Sequence, residues 1–164
     1  MNKGHVVGEE AVVFERILPA SAEKCWAFLT EPSRLAEWYG DGVVEPHEGG
    51  KVTFMGGHIR GVVTGWRPGT FFAHTWNVFS PGESVSAWPV SYLEFALAPD
   101  GQNTKLTLTH RPIFKAVQPQ TLMGWQTYLD MLETGLRGRT VGPRDIYMQK
   151  NAALYGVDLN NLKR

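Results

Sequence analysis

Residues 121–138 read TLMGWQTYLDMLETGLRG, and this stretch decides the fold. Leu122, Trp125, Leu129, Leu132 and Leu136 recur at spacings of 3, 4, 3 and 4, which lays an apolar seam along one face of a helix. The helix is expected to begin at Pro119 or Thr121, and Gly138 is placed to stop it. A seam carrying four leucines and a tryptophan must be buried, so the rest of the chain has to supply a surface that wraps it.

The residues before it supply a sheet. From residue 43 to 111 the pattern has period two and is cut by Gly49-Gly50, Gly56-Gly57, Pro68-Gly69 and Pro99-Asp100-Gly101, which predicts an antiparallel meander with tight turns. The predicted strands are Val43–Glu45, Lys51–Met55, His58–Trp66, Phe71–Val78, Val90–Ala98 and Thr104–Arg111. Phe79–Pro89 is too irregular for a strand and is expected to be a long loop. Further upstream, Ala11–Leu18 is rich in β-formers and ends at Pro19. Two short helices follow it. Ser21 is placed as the N-cap of the first, with Glu23 in its opening turn, and Thr30 or Glu31 caps the second, with Pro32 near its first position. Residues 1–10 carry no pattern and are expected to be a loose lead-in. The order strand, two helices, five or six antiparallel strands and one long helix predicts an α+β domain of two layers, a curved sheet around the C-terminal helix.

Alternation assigns the inward faces. Leu93, Phe95 and Leu97 share one face of their strand, and Leu106, Leu108 and His110 one face of the next. Phe72, His74 and Trp76 form the bulkier face of theirs. Ile59 and Val63 oppose Val62 and Trp66, so His58 and Arg60 stay unassigned. Glu94 is expected to face outward, with Arg16, Arg60 and Arg111 pairing acids on the convex side.

Composition narrows the function. The chain has 164 residues, with 16 Lys plus Arg against 16 Asp plus Glu, and one cysteine. Zero net charge removes the electrostatic footprint of a nucleic-acid binder. Cys25 alone can make neither an intramolecular disulfide nor a multi-cysteine zinc site, and points to a reducing compartment. The longest apolar run, Cys25–Leu29, is five residues, so no membrane span is expected and the protein is read as cytoplasmic. There is no nucleophile elbow, P-loop or Gly-x-Gly-x-x-Gly, and no two histidines lie closer than eleven residues; no metal and no cofactor is expected. What remains is an aromatic content of 12%, six of these residues being Trp, set against little charge.

The stretch Phe14–Trp38, with Ile17, Pro19-Ala20, Trp26, Leu29, Thr30-Glu31-Pro32, Leu35 and Trp38-Tyr39, resembles the opening of the Aha-like branch of the START/SRPBCC superfamily, the homologues of the activator of heat-shock-protein-90 ATPase. Gly49-Gly50, Thr75-Trp76, Leu108-Thr109-His110 and Gly124-Trp125 follow in the matching order. The resemblance covers about residues 11–138 and implies a helix-grip fold around a deep, mostly apolar cavity. On that fold Trp38, Phe54, Phe72, His74, Trp76, Phe95, His110 and Trp125 are the expected cavity walls, suited to a small hydrophobic or aromatic molecule or a lipid. The loops Gly40–Gly50, Phe79–Pro89 and Pro112–Gln118 are placed to gate it.

His74 and His110 are the candidate catalytic pair, two inward imidazoles that can act as base and acid. The alternative functions are therefore a polyketide cyclase- or hydratase-like enzyme using them, and a chaperone-associated or self-associating interaction module. The tail, residues 139–164, lies outside the resemblance. Residues 137–164 hold six basic and two acidic residues (+4) against 10 and 14 (−4) in residues 1–136. A helix from Pro143 to about Tyr155 is predicted there, with Ile146, Tyr147, Ala153 and Leu154 as a stripe docked on its own domain or exchanged across a homodimer.

Overall fold

The computed structural model describes residues 3–8, 10–79, 83 and 89–162. Its elements are β1 (His5–Val7), β2 (Ala11–Leu18), α1 (Ala22–Thr30), α2 (Pro32–Trp38), β3 (Gly42–Val44), β4 (Lys51–Phe54), β5 (Ile59–Arg67), β6 (Phe71–Val78), β7 (Ser91–Asp100), β8 (Asn103–Arg111), α3 (Gln118–Leu136) and α4 (Arg144–Tyr155). Eight antiparallel strands form one sheet in the order β1-β2-β8-β7-β6-β5-β4-β3. The edge strands are β1 and β3, and β2 pairs with β8, the last strand of the meander.

Local signals place the elements as read. Ser21 Oγ accepts from Lys24 N at 3.3 Å to start α1, and Glu31 with Pro32 starts α2. The β7–β8 hairpin turns through Gly101-Gln102, with Gly101 at φ +61°, a conformation that glycine adopts without steric cost. All five seam residues of α3 are buried in the same core as Leu93, Phe95, Leu97, Leu106 and Leu108, and the helix ends before Gly138 at φ +74°. Each fully buried Leu contributes about 1.5–3 kcal/mol, which is why this seam holds the two layers together.

Four expectations are corrected. Residues 5–7 are not loose: they pair antiparallel with Val13, Val12 and Ala11. Arg16 is not on the convex face. It alternates in phase with Val12, Phe14 and Leu18, is buried, and reaches Asp130 of α3 at 2.9 Å. Glu94 and Arg111 do meet outside, at 3.6 Å, while the exposed Arg60 lies over the Phe79 ring. The ambiguity of residues 58–66 comes from a bulge: the register slips between Val63 opposite His74 and Gly65 opposite Ala73, so Trp66 returns to the side of its partner Phe72. The loop predicted at residues 79–89 lies mostly outside the described residues.

The fourth correction concerns α4, which starts after Pro143 and ends at Gly156 in the left-handed region. Of the expected stripe Tyr147 packs against the domain, whereas Ala153 is exposed and Ile146 and Leu154 are 66% and 45% exposed, so the stripe as a whole does not dock. The docked face is polar. Tyr147 donates to Thr134 Oγ1 (3.3 Å), Asn151 to Thr127 Oγ1 (3.1 Å) and Asp130 Oδ2 (3.0 Å), and Tyr155 to Gln126 Oε1 (2.9 Å). These positions repeat every four residues on both helices, which sets α4 antiparallel along α3. Gly4 N donates to Tyr155 Oη (2.8 Å), fastening the start of the chain to the same helix.

Candidate functional site

A cavity of about 450 Å³ opens between the sheet and the first turns of α3. Trp76 of β6, Ser91 of β7 and His110 of β8 form its floor, and Gly124, Trp125 and Tyr128 of α3 form one wall. Ile113, Phe114 and Val117 close a second side, while Arg144 and Met148 of α4, with Leu162, complete the rim. The tail therefore belongs to the cavity. Of the three loops expected as gates, Pro112–Gln118 lines it and Gly40–Gly50 does not. Of Phe79–Pro89, Pro89 is on the wall.

Three of the eight predicted wall residues, Trp76, His110 and Trp125, meet there. Their ring centroids are 5.0 Å (Trp76–His110), 5.4 Å (Trp76–Trp125) and 6.0 Å (His110–Trp125) apart. The other five are corrected: Trp38, Phe54, Phe72, His74 and Phe95 are buried behind the cavity rather than on its wall. They pack on one another, with Phe54–His74 at 5.3 Å, Phe72–His74 at 5.2 Å and Phe72–Phe95 at 6.1 Å, and Trp38 Nε1 donates to the Phe28 carbonyl at 2.8 Å. Alternation finds the face but not the depth. Along β6 the same face holds Phe72 and His74 under the layer of helices and Trp76 where that layer parts.

The polar groups form a directed chain. Trp125 Nε1 donates to His110 Nδ1 at 3.0 Å, so the proton of the neutral ring sits on Nε2, which donates to Ser91 Oγ at 2.8 Å. Burial, with His74 adding to it, pushes His110 down to about 3. His74 donates through Nδ1 to the Thr75 carbonyl at 2.8 Å, and burial holds it at about 4. Both rings are uncharged near neutral pH, and both nitrogens of His110 are already engaged. At the rim, Arg144 donates to Tyr128 Oη (2.9 Å), and that hydroxyl donates to Met55 Sδ (3.7 Å). The Tyr128 bond pushes the guanidinium above its ordinary value. Behind this, the Tyr39 hydroxyl is buried with no hydrogen-bond partner among the described residues, and burial pushes it well above 10.

Sequence reading missed Ser91, Gly124, Tyr128 and Arg144. Gly124 had a signal: a glycine early in a strongly patterned helix costs about 1 kcal/mol relative to alanine, so something other than helix formation retains it. At this position a Cβ would meet nothing within 4 Å, because the space beside it is the cavity. Among the described residues no group of three His, Cys, Asp or Glu side chains is placed to hold a metal, and no helix is long and apolar enough to cross a membrane.

A curved antiparallel sheet gripping a long C-terminal helix, with a cavity between them, defines a helix-grip protein of the START/SRPBCC type. Residues 19–137 match the family model of Activator of Hsp90 ATPase homolog 1-like proteins, and the chain belongs to that family. No curated protein matches it. Solved structures share the fold. CalU16 from Micromonospora echinospora is 20% identical with a TM-score of 0.71, over 94% of this chain and 92% of its own. MLL2253 from Mesorhizobium loti is 27% identical (TM-score 0.66, 79% and 98% covered), and PFC0360w, an HSP90 activator from Plasmodium falciparum, 21% (TM-score 0.66, 77% and 96%).

Proposed function

We propose that the protein binds a small hydrophobic or aromatic molecule in the cavity beside α3. The observation that carries this reading is Gly124, where the long helix forgoes a side chain beside a space of about 450 Å³ walled by Trp76 and Trp125. That volume lies within the range of small-molecule sites, and the wall combines aromatic area with few polar groups, as such sites do. The test fills the space: Gly124→Phe places a ring where a Cβ meets no neighbour. Wild-type protein is expected to be stabilised in a thermal-shift screen of aromatics and lipids, and to carry a bound species in native mass spectrometry after gentle purification. Gly124→Phe should fold and lose both responses. No stabilised melt and no bound species in wild type sink the reading.

A second reading, an interaction module, is favoured by Ile146 and Leu154 standing exposed on α4, and by the likeness to an HSP90 activator. Self-association through that face should disappear in Ile146→Glu/Leu154→Glu, measured by light scattering. A wild-type protein that is monomeric at high concentration removes the self-associating form.

A further inference from the structure

The polar groups on the cavity wall are unevenly distributed, and their arrangement specifies what a ligand must carry. At the floor, the His110 Nε2 proton is given to Ser91 Oγ, so the serine's own proton is left to donate. Ser91 is buried and lines the cavity, which makes it a hydrogen-bond donor facing the occupant. At the rim stands Arg144. Its guanidinium touches Tyr128 Oη, and no carboxylate lies within ion-pair distance of it among the described residues. Asp145 follows it in sequence but is not on the wall, and the described lining residues include no Asp or Glu. Arg144 also opens α4, so the positive end of that helix adds to its field. At this rim an amine would meet like charge, whereas an acid would meet a guanidinium that hydrogen-bonds Tyr128 and makes no ion pair among the described residues.

We propose that the cavity takes an apolar acid: a ring-bearing or chain body against Trp76 and Trp125, a carbonyl or ether oxygen at Ser91 Oγ, and an ionised acidic group at Arg144. This deepens, and rests on, the cavity reading above. The space equals about 15 water volumes at roughly 30 Å³ each, enough for a fused-ring or medium-chain acid.

The test uses three fluorescent naphthalenes. 8-Anilinonaphthalene-1-sulfonate and N-phenyl-1-naphthylamine differ by the sulfonate alone, and prodan is an uncharged naphthyl ketone. Wild-type protein should bind the sulfonate on the order of tenfold tighter than the neutral amine. Arg144→Gln should bring the sulfonate to the neutral probe's affinity without changing the latter, and Arg144→Lys should retain most of the preference. Ser91→Ala should weaken prodan several-fold and leave N-phenyl-1-naphthylamine unchanged. Equal binding of the anionic and neutral probes, or a preference that survives Arg144→Gln, overturns the acid at the rim and leaves the cavity standing. Prodan binding untouched by Ser91→Ala overturns the oxygen contact. If no probe binds, or binding persists in Gly124→Phe, the cavity reading fails and this proposal fails with it.

Discussion

Trp125 Nε1 donates to His110 Nδ1 across 3.0 Å, and this one bond between α3 and β8 sets the polarity of the cavity floor. An indole N–H can only donate, so Nδ1 must accept, the ring proton must sit on Nε2, and Ser91 must receive it. The helix seam and the sheet are thus joined by a hydrogen bond as well as by apolar contact.

The tautomers are directly measurable. Imidazole ¹⁵N chemical shifts at pH 7 should show His110 as the Nε2–H form and His74 as the Nδ1–H form, both neutral. Trp125→Phe leaves Nδ1 of a buried ring without its donor and should destabilise the fold by about 1–3 kcal/mol. An Nδ1–H signal from His110 in wild type would refute the chain from Trp125 to Ser91.

Acid should weaken the fold before any carboxylate matters. Both histidines are held below their ordinary 6.5, to about 4 and about 3, so the unfolded chain binds more protons between those values and 6.5. Stability is therefore complete above pH 6.5 and falls as the pH drops, by roughly 2–4 kcal/mol between pH 7 and pH 5. Urea midpoints across that range check it. His74→Gln should flatten the slope by about half, and a wild-type midpoint constant from pH 7 to 5 contradicts the assignment.

Asp130 lies at the meeting of β2, α3 and α4, taking Arg16 at 2.9 Å on one oxygen and Asn151 at 3.0 Å on the other. Asp130→Ala strips the carboxylate from a buried guanidinium and should cost about 3–5 kcal/mol, whereas Arg16→Met with Asp130→Leu should recover most of that. Chemical denaturation of the two variants decides, and equal losses in both would remove the pair from this role.

Two glycine-to-alanine changes should have opposite signs. Gly124→Ala should stabilise by about 0.5–1 kcal/mol, since its Cβ meets nothing and the helix gains propensity. Gly61→Ala would bring a Cβ to 1.8 Å from the Thr75 carbonyl oxygen, a backbone atom of the neighbouring strand, and should force β5 from β6. Melting temperatures of the pair are the check, a neutral Gly61→Ala being the contrary result.

The sequence by itself determined the elements from β2 to α4 and most of their inward faces, because those depend on short-range periodicity: the 3-4-3-4 seam on α3, the alternation of Leu93, Phe95 and Leu97, the caps at Ser21 and Gly156. It also marked Trp76, His110 and Trp125. Only the tertiary structure decided the rest. Arg16 reads as a surface cation until Asp130 is brought to it from 114 residues away. The tail reads as an apolar stripe until the pairing of Asn151 with Asp130 turns its polar face inward. Of eight inward aromatic and imidazole side chains, whether a ring fills the core or walls a cavity depends on where the helix layer parts above the sheet. That is a property of packing across distant segments, to which no local period in the chain corresponds.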